Sequence, residues 1–164
     1  MGKERFGFGD RIQLTDEKGR MISFTLNENE TFHTHKGFLK HNDIVGKEEG
    51  SILITSSGMK FQAFKPLYSD YVLGMKRGAT IVYPKDSALI LGFGDLKEGL
   101  NVVEAGVGSG ALSIAILRAI GRSGFLHSYE IRQDFAEIAT KNVRDYFGEI
   151  PGHWDLTVAD AVSY

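Results

Sequence analysis

The run Val102-Val103-Glu104-Ala105-Gly106-Val107-Gly108-Ser109-Gly110-Ala111-Leu112 decides how this chain is read. It is written as a strand, a glycine-rich turn and the start of a helix. Glycines at alternate positions let the backbone bend sharply and approach a ligand with no Cβ in the way. The turn falls at the carboxyl end of the strand, where open α/β sheets bind their ligands. Amides at the start of the following helix can donate hydrogen bonds to a carboxylate or a phosphate.

Working outward, the same grammar continues downstream. Strand-like runs stand at Asn101 to Glu104, Phe125 to Glu130 and Leu156 to Asp160, separated by helical stretches over about Gly110 to Ile120 and Gln133 to Phe147. Gly121 and Gly148 occupy the places of C-terminal caps. Phe135, Ile138, Ala139 and Val143 recur at i, i+3, i+4 and i+8, which predicts one buried helix face. Alternating strands and helices predict a parallel sheet with right-handed crossovers. Three such strands leave apolar surface and a strand edge uncovered, so the reading expects the front portion of a longer protein.

Upstream the texture is different. Arg11 to Leu14 and Met21 to Leu26 flank Asp16-Glu17-Lys18-Gly19, and Ser51 to Thr55 and Met59 to Lys65 flank Ser56-Ser57-Gly58. Both read as hairpins of a small barrel or meander. Pro66 to Met75 is expected as a short helix or turn, and Pro84 to Leu91 as a helix opening at its proline. The expected organisation is a small all-β domain over 1–65, a connecting segment with short helices over 66–95, and a Rossmann-like α/β domain over 96–164.

The glycines alone leave the ligand open. Gly106-x-Gly108-x-x-Ala111 satisfies the dinucleotide fingerprint, which keeps an NAD-binding oxidoreductase in view. Glu104 argues otherwise, because a carboxylate there repels a pyrophosphate and attracts the cationic amino group of an amino-acid ligand. Gly110 extends the pattern to Glu-x-Gly-x-Gly-x-Gly, which resembles the first motif of methyltransferases. Glu130, ending the second strand, can accept both ribose hydroxyls of either NAD or S-adenosylmethionine. Asp160, read as ending the third strand, can accept a hydrogen bond from the exocyclic amine of adenine.

Composition narrows the rest. The 164 residues are 42% hydrophobic and 24% charged with a net charge of −2, a globular balance that argues against a general nucleic-acid coat protein. Residues 1–75 hold ten Lys and Arg against ten Asp and Glu, so any RNA contact is local. The absence of cysteine removes disulfides, zinc knuckles and thiol catalysis. The N-terminus does not read as a signal peptide, and no run approaches the roughly 18 apolar residues of a membrane span. A cytoplasmic protein without membrane contact is expected. His33, His35 and His41 gather near Asp43, but no third ligand follows at a typical spacing, and no metal is expected. Tyr68, Tyr71 and Tyr83 lie among Lys65, Lys76, Arg77 and Lys85, an interleaving that suits single-stranded RNA.

Taken together the chain resembles the tRNA (adenine-N1)-methyltransferases of bacterial and archaeal type, which modify adenine 58 of the T-loop. The likeness rests on Thr34-His35-Lys36-Gly37, Gly46-Lys47, Tyr71 to Gly78, Ile81 to Asp86, Glu104 to Leu112, Ser128-Tyr129-Glu130 and Pro151-x-x-Trp154. It implies a class I S-adenosyl-L-methionine-dependent enzyme that acts on tRNA and assembles as a homotetramer. By that resemblance Glu104, Gly106 and Gly108 belong to the cofactor turn, and Ser109, Gly110, Ala111 and Leu112 contact the methionine portion. Glu130 binds the ribose, while Phe135 and Asp160 flank or pair with adenine. Tyr83 stands beside the target base, where its ring would stack on an adenine extruded from the loop. The family's catalytic aspartate follows a fourth strand and is expected beyond Tyr164, so the 164-residue chain alone is expected to be inactive. A non-catalytic tRNA-binding subunit is the remaining alternative.

Overall fold

The structure, a computed structural model, describes residues 5–163 and divides into two compact units, one reaching Leu67 and one from Tyr68 onwards. The first is built from β1 (Arg11–Asp16), β2 (Met21–Thr25), β3 (Thr31–Thr34), β4 (Gly37–Lys40), β5 (Ile52–Ile54) and β6 (Lys60–Phe64). Antiparallel strands in the order β2-β1-β6-β5 form one sheet, and β3 and β4 form a separate ribbon. Both expected hairpins are present. A meander is not: β1 pairs with β6 as well as β2, which lets Ile12 and Leu14 bury completely among Phe6, Leu26, Leu39, Ile44, Leu53 and Phe61. The β3–β4 hairpin separates the histidines, with His33 on its first strand and His35 in its turn. His41 is buried, its Nδ1 accepts the Asn27 amide at 3.1 Å and its ring stacks on Phe24. Among the described residues no group of three potential ligands is placed to hold a metal ion.

The second unit contains α1 (Tyr68–Gly74), α2 (Pro84–Phe93), β7 (Asn101–Ala105), α3 (Ala111–Ile120), β8 (Phe125–Glu130), α4 (Gln133–Phe147) and β9 (Trp154–Val158). Residues 68–95, expected as part of a connector, sit in this unit, where α2 packs on α3. The strands run parallel in the order β7-β8-β9. The third strand starts and stops two residues earlier than Leu156 to Asp160, because Trp154 pairs with Leu126 and turns its indole into the core. Asp160 therefore lies past the strand rather than at its end.

Paired residues of parallel strands project to the same face. Here one face carries Glu104, Leu126, Ser128, Glu130 and Trp154, all buried, and the other carries Val103, His127 and Asp155, all exposed. Helices cover one side of the sheet only among the described residues. The buried stripe of α4 is Ala136, Ala139, Asn142 and Val143, which corrects the expected one by about one position. Phe135 and Ile138 are half-buried instead, flanking Gly78, where an added Cβ would stand 2.7 Å from Ile138 and 3.1 Å from Phe135. The guanidinium of Arg132 lies over the Phe135 ring, 3.8 Å from its centroid.

Candidate functional site

The site begins where β7 ends. Gly106, Gly108 and Gly110 have φ of 85°, 58° and 81°, a left-handed backbone in which a side chain is strained. The Gly106 amide bonds the Tyr129 carbonyl at 2.8 Å, tying the turn to β8. A Cβ on Gly110 would come 3.3 Å from the backbone of Ala139, so the turn also lies close against α4. After Gly110 the chain enters α3, whose first amides have no intrahelical acceptor and face outward as donors.

Two buried carboxylates stand below this turn. Glu130 is 5% exposed, and its Oε2 accepts the Gly108 amide at 3.0 Å while Oε1 accepts the Arg132 amide at 3.0 Å. It thereby links the glycine turn to the start of α4, and each oxygen retains a second lone pair for a ligand hydroxyl. Glu104 is 6% exposed, and its Oε2 takes Ser113 Oγ at 2.7 Å and Ser128 Oγ at 2.9 Å. Ser128 Oγ in turn accepts the Trp154 indole N–H at 2.9 Å. Burial pushes the Glu104 carboxyl up to about 7, aided by the neighbouring Glu130 charge and opposed by the two serine hydroxyls.

The remaining expected residues divide. Ser109 is buried and its hydroxyl serves the backbone, accepting the Gly78 and Ala79 amides at 3.2 and 3.3 Å and donating to the Ala79 carbonyl at 3.1 Å. Asn142 fastens the same region, donating to the carbonyls of Lys76 at 2.8 Å and Ser109 at 2.9 Å. Ala111 turns its methyl into the core and Leu112 packs half-buried against it, so the side chains of both are taken up by packing. Phe135 has its ring beneath Arg132. Asp160 is exposed, and its Oδ1 accepts the Val162 amide at 3.0 Å. Tyr83 is 42% exposed and its carbonyl accepts the amides that open α2. The structure thus gathers Glu104, the glycines, Ser109 and Glu130. Tyr83 and Asp160 make no hydrogen bond to that group among the described residues. Sequence reasoning missed Ser113 and Asn142 as parts of the site, and placed Ser128 and Trp154 only as points of resemblance. A cavity of about 500 Å³ in this unit is lined by Gly121, Arg122, Pro151 and His153 at the opposite ends of the strands, away from this chemistry.

Comparison with known proteins returns methyltransferases. The family described as the tRNA methyltransferase complex GCD14 subunit matches residues 69–161, and the family described as TrmI-like N-terminal matches residues 5–53. A tRNA (adenine(58)-N(1))-methyltransferase of Thermus thermophilus is 37% identical, over 83% of this chain and 53% of the relative. A tRNA (adenine(57)-N(1)/adenine(58)-N(1))-methyltransferase of Methanocaldococcus jannaschii is 39% identical, over 79% of this chain and 45% of the relative. The chain spans about half the length of these curated relatives. Among solved structures, a SAM-dependent O-methyltransferase of Thermotoga maritima superposes with a TM-score of 0.87 at 36% identity, covering 97% of this chain and 59% of that one. A tRNA (m1A58) methyltransferase of Aquifex aeolicus superposes with a TM-score of 0.79 at 24% identity, covering 98% and 61%, a likeness of fold. The parallel-sheet unit is a class I methyltransferase fold, present as three strands and following an all-β unit in the sequence.

Proposed function

The chain belongs to the tRNA methyltransferase family described by the GCD14 subunit, and from that premise we propose that it binds S-adenosyl-L-methionine for methyl transfer to N1 of an adenine, adenine 58, in the T-loop of tRNA. The observation that carries this reading is Glu104, a buried carboxylate beside a left-handed glycine turn. A pyrophosphate placed there finds no cation among the described residues and, above about pH 7, meets a like charge, whereas an ammonium group draws out its own counter-ion. When bound, the cofactor supplies an activated methyl group, and the protein's task is proximity and orientation. The α3 amides and the backbone of Ser109 to Leu112 hold the methionine portion. Glu130 takes the ribose hydroxyls, Phe135 and Asp160 border adenine, and the exposed ring of Tyr83 stacks on the target base.

Support for a polyanionic substrate comes from the first unit. The turns after β1, β3 and β5 converge on a cavity of about 410 Å³ lined by Lys18, Arg20, His35, Lys36 and Lys60 against Asp16 and Glu17. The backbone there is pinned, since Thr55 Oγ1 and Ser57 Oγ both donate to the Lys36 carbonyl. We further propose a cytoplasmic homotetramer. Leu89, Ile90 and Phe93 on α2 are exposed, Phe93 to 90%, which supports burial against further protein. Among the described residues no helix is long and apolar enough to cross a membrane.

Calorimetric titration with S-adenosylhomocysteine and with NAD tests the cofactor. Binding of the nucleoside amino acid and none of NAD is expected, and the reverse result removes this reading in favour of an oxidoreductase.

A further inference from the structure

The hydrogen bonds around Glu104 are lopsided. Both serine hydroxyls reach Oε2, and among the described residues no hydrogen bond reaches Oε1. Oε1 keeps its acceptor capacity in a side chain that is 6% exposed and lies beside the glycine turn. Ser113 projects from α3 and Ser128 stands opposite Glu104 in the register of β7 and β8. Trp154 on β9 donates its indole N–H to Ser128, which commits the serine's own hydroxyl proton to the carboxylate. Three elements therefore converge on one oxygen and leave the other for something from outside.

We propose that Trp154, Ser128 and Ser113 are positioning residues that hold one oxygen of Glu104 and present the other to the ammonium group of the bound nucleoside amino acid, and that binding expels a proton from this carboxyl. The proposal rests on the cofactor reading above and goes beyond it in assigning the residues behind the contact and the proton balance. Without ligand the carboxyl stays protonated up to about pH 7. The charge acting on it is Glu130 on β8, of like sign; Ser113 from α3 and the Ser128–Trp154 pair from β8 and β9 are neutral. An arriving ammonium reverses the balance. The O–H bond of Glu104 breaks, its proton passes to solvent, and the carboxylate keeps the electron pair and pairs with the cation.

Titration of the 164-residue chain with S-adenosylhomocysteine, in two buffers of different ionisation enthalpy at about pH 6, counts the protons released. Most of one proton per ligand is expected, and affinity should rise close to tenfold per pH unit between about pH 5.5 and 6.5, then flatten above about 7. Glu104→Gln, which keeps the shape and the acceptor for both serines, should abolish the proton release and weaken binding tenfold or more. Ser128→Ala and Ser113→Ala each remove a donor to the ionised form, so the pH midpoint should move upward; a merely structural loss would lower affinity at every pH alike. Binding that releases no proton and is flat across this range overturns the inference and leaves the cofactor reading standing. No binding at any pH overturns both.

Discussion

The two units bury polar groups for different ends. In the first, the buried core is apolar from Phe6 to Ala63, and its buried polar side chains serve backbone groups of the same unit, except Gln13, which donates to Met21 Sδ. Asp16 accepts the turn amides of Lys18 and Arg20, Thr55 accepts that of Met59, and His41 that of Asn27. In the second, Glu104, Ser113, Ser128 and Glu130 lie on the covered side of the sheet, in the space that Leu126 and Trp154 fill with apolar atoms lower down. Ser113, Ser128, the Trp154 indole and the Glu104 carboxyl, bonded in one network across four elements, do not close a turn. The difference teaches where stability and function separate: the first unit's buried polar groups find their partners within that unit, and on the function proposed above the second's are completed by a ligand.

The comparison breaks most visibly at Phe61, which is 2% exposed in the first core. Phe61→Ala should cost about 3–5 kcal/mol of stability in thermal or urea unfolding, with affinity for S-adenosylhomocysteine unchanged at temperatures where the variant is folded. A parallel loss of affinity would show that the two interiors are not independent.

Glu104 sharpens it in the opposite sense. Its carboxyl is held at about 7 in the folded chain against an ordinary value of 4.5. As pH rises between these values the unfolded chain sheds the proton while the folded one keeps it, so stability falls across this window and levels off above it. The full cost is on the order of 3 kcal/mol. Glu104→Gln should match the parent near pH 4 and exceed it in stability near pH 8 while losing ligand. Stability curves of the same shape for both proteins would remove the claim that this interior holds a functional cost.

How much of this was legible in the sequence follows from the kind of signal each feature leaves. Gly106, Gly108 and Gly110 mark a backbone conformation, and the structure gives all three positive φ. Glu130 was readable because an acid ending a strand after such a turn is itself a pattern. Ser113 and Ser128 leave no comparable mark, since their partnership with Glu104 depends on the β7–β8 register and on how α3 lies over it. The third strand was placed late because Leu-Thr-Val reads as β-forming and Trp154 follows closely on Pro151 and Gly152; its pairing with Leu126 moves the strand back and leaves Asp160 outside. The β3–β4 hairpin was missed because four-residue strands offer little periodicity, and only Gly37, at φ 90°, hints at the turn.

Gly110→Ala tests the turn where backbone and packing coincide. The left-handed conformation costs an alanine about 1–2 kcal/mol, and the new methyl meets Ala139 backbone at 3.3 Å. Stability should fall by about that amount, and affinity for S-adenosylhomocysteine should fall with it as the turn shifts off α4. Unaltered affinity would mean that the turn only connects β7 to α3.

The smallest effect belongs to Asp16, the first unit's counterpart to Glu104. The Arg20 amide, hydrogen-bonded to Oδ1, holds its carboxyl below the usual carboxylate range despite burial, helped by the Arg20 guanidinium, whose Nε donates to Oδ2 at 2.7 Å, and by the Lys18 amide. A depressed carboxyl contributes stability that is present above its unfolded pKa and lost as pH falls through the folded one. Asp16→Asn keeps an acceptor for the turn amides but gives up the charge. Its unfolding curve should lie below the parent's at neutral pH and converge with it in acid, while ligand affinity at neutral pH stays the same. Acid profiles separated by a constant offset would show that Asp16 acts through shape alone, and the contrast between a charge that stabilises a turn and one that waits for a cation would then rest on Glu104 only.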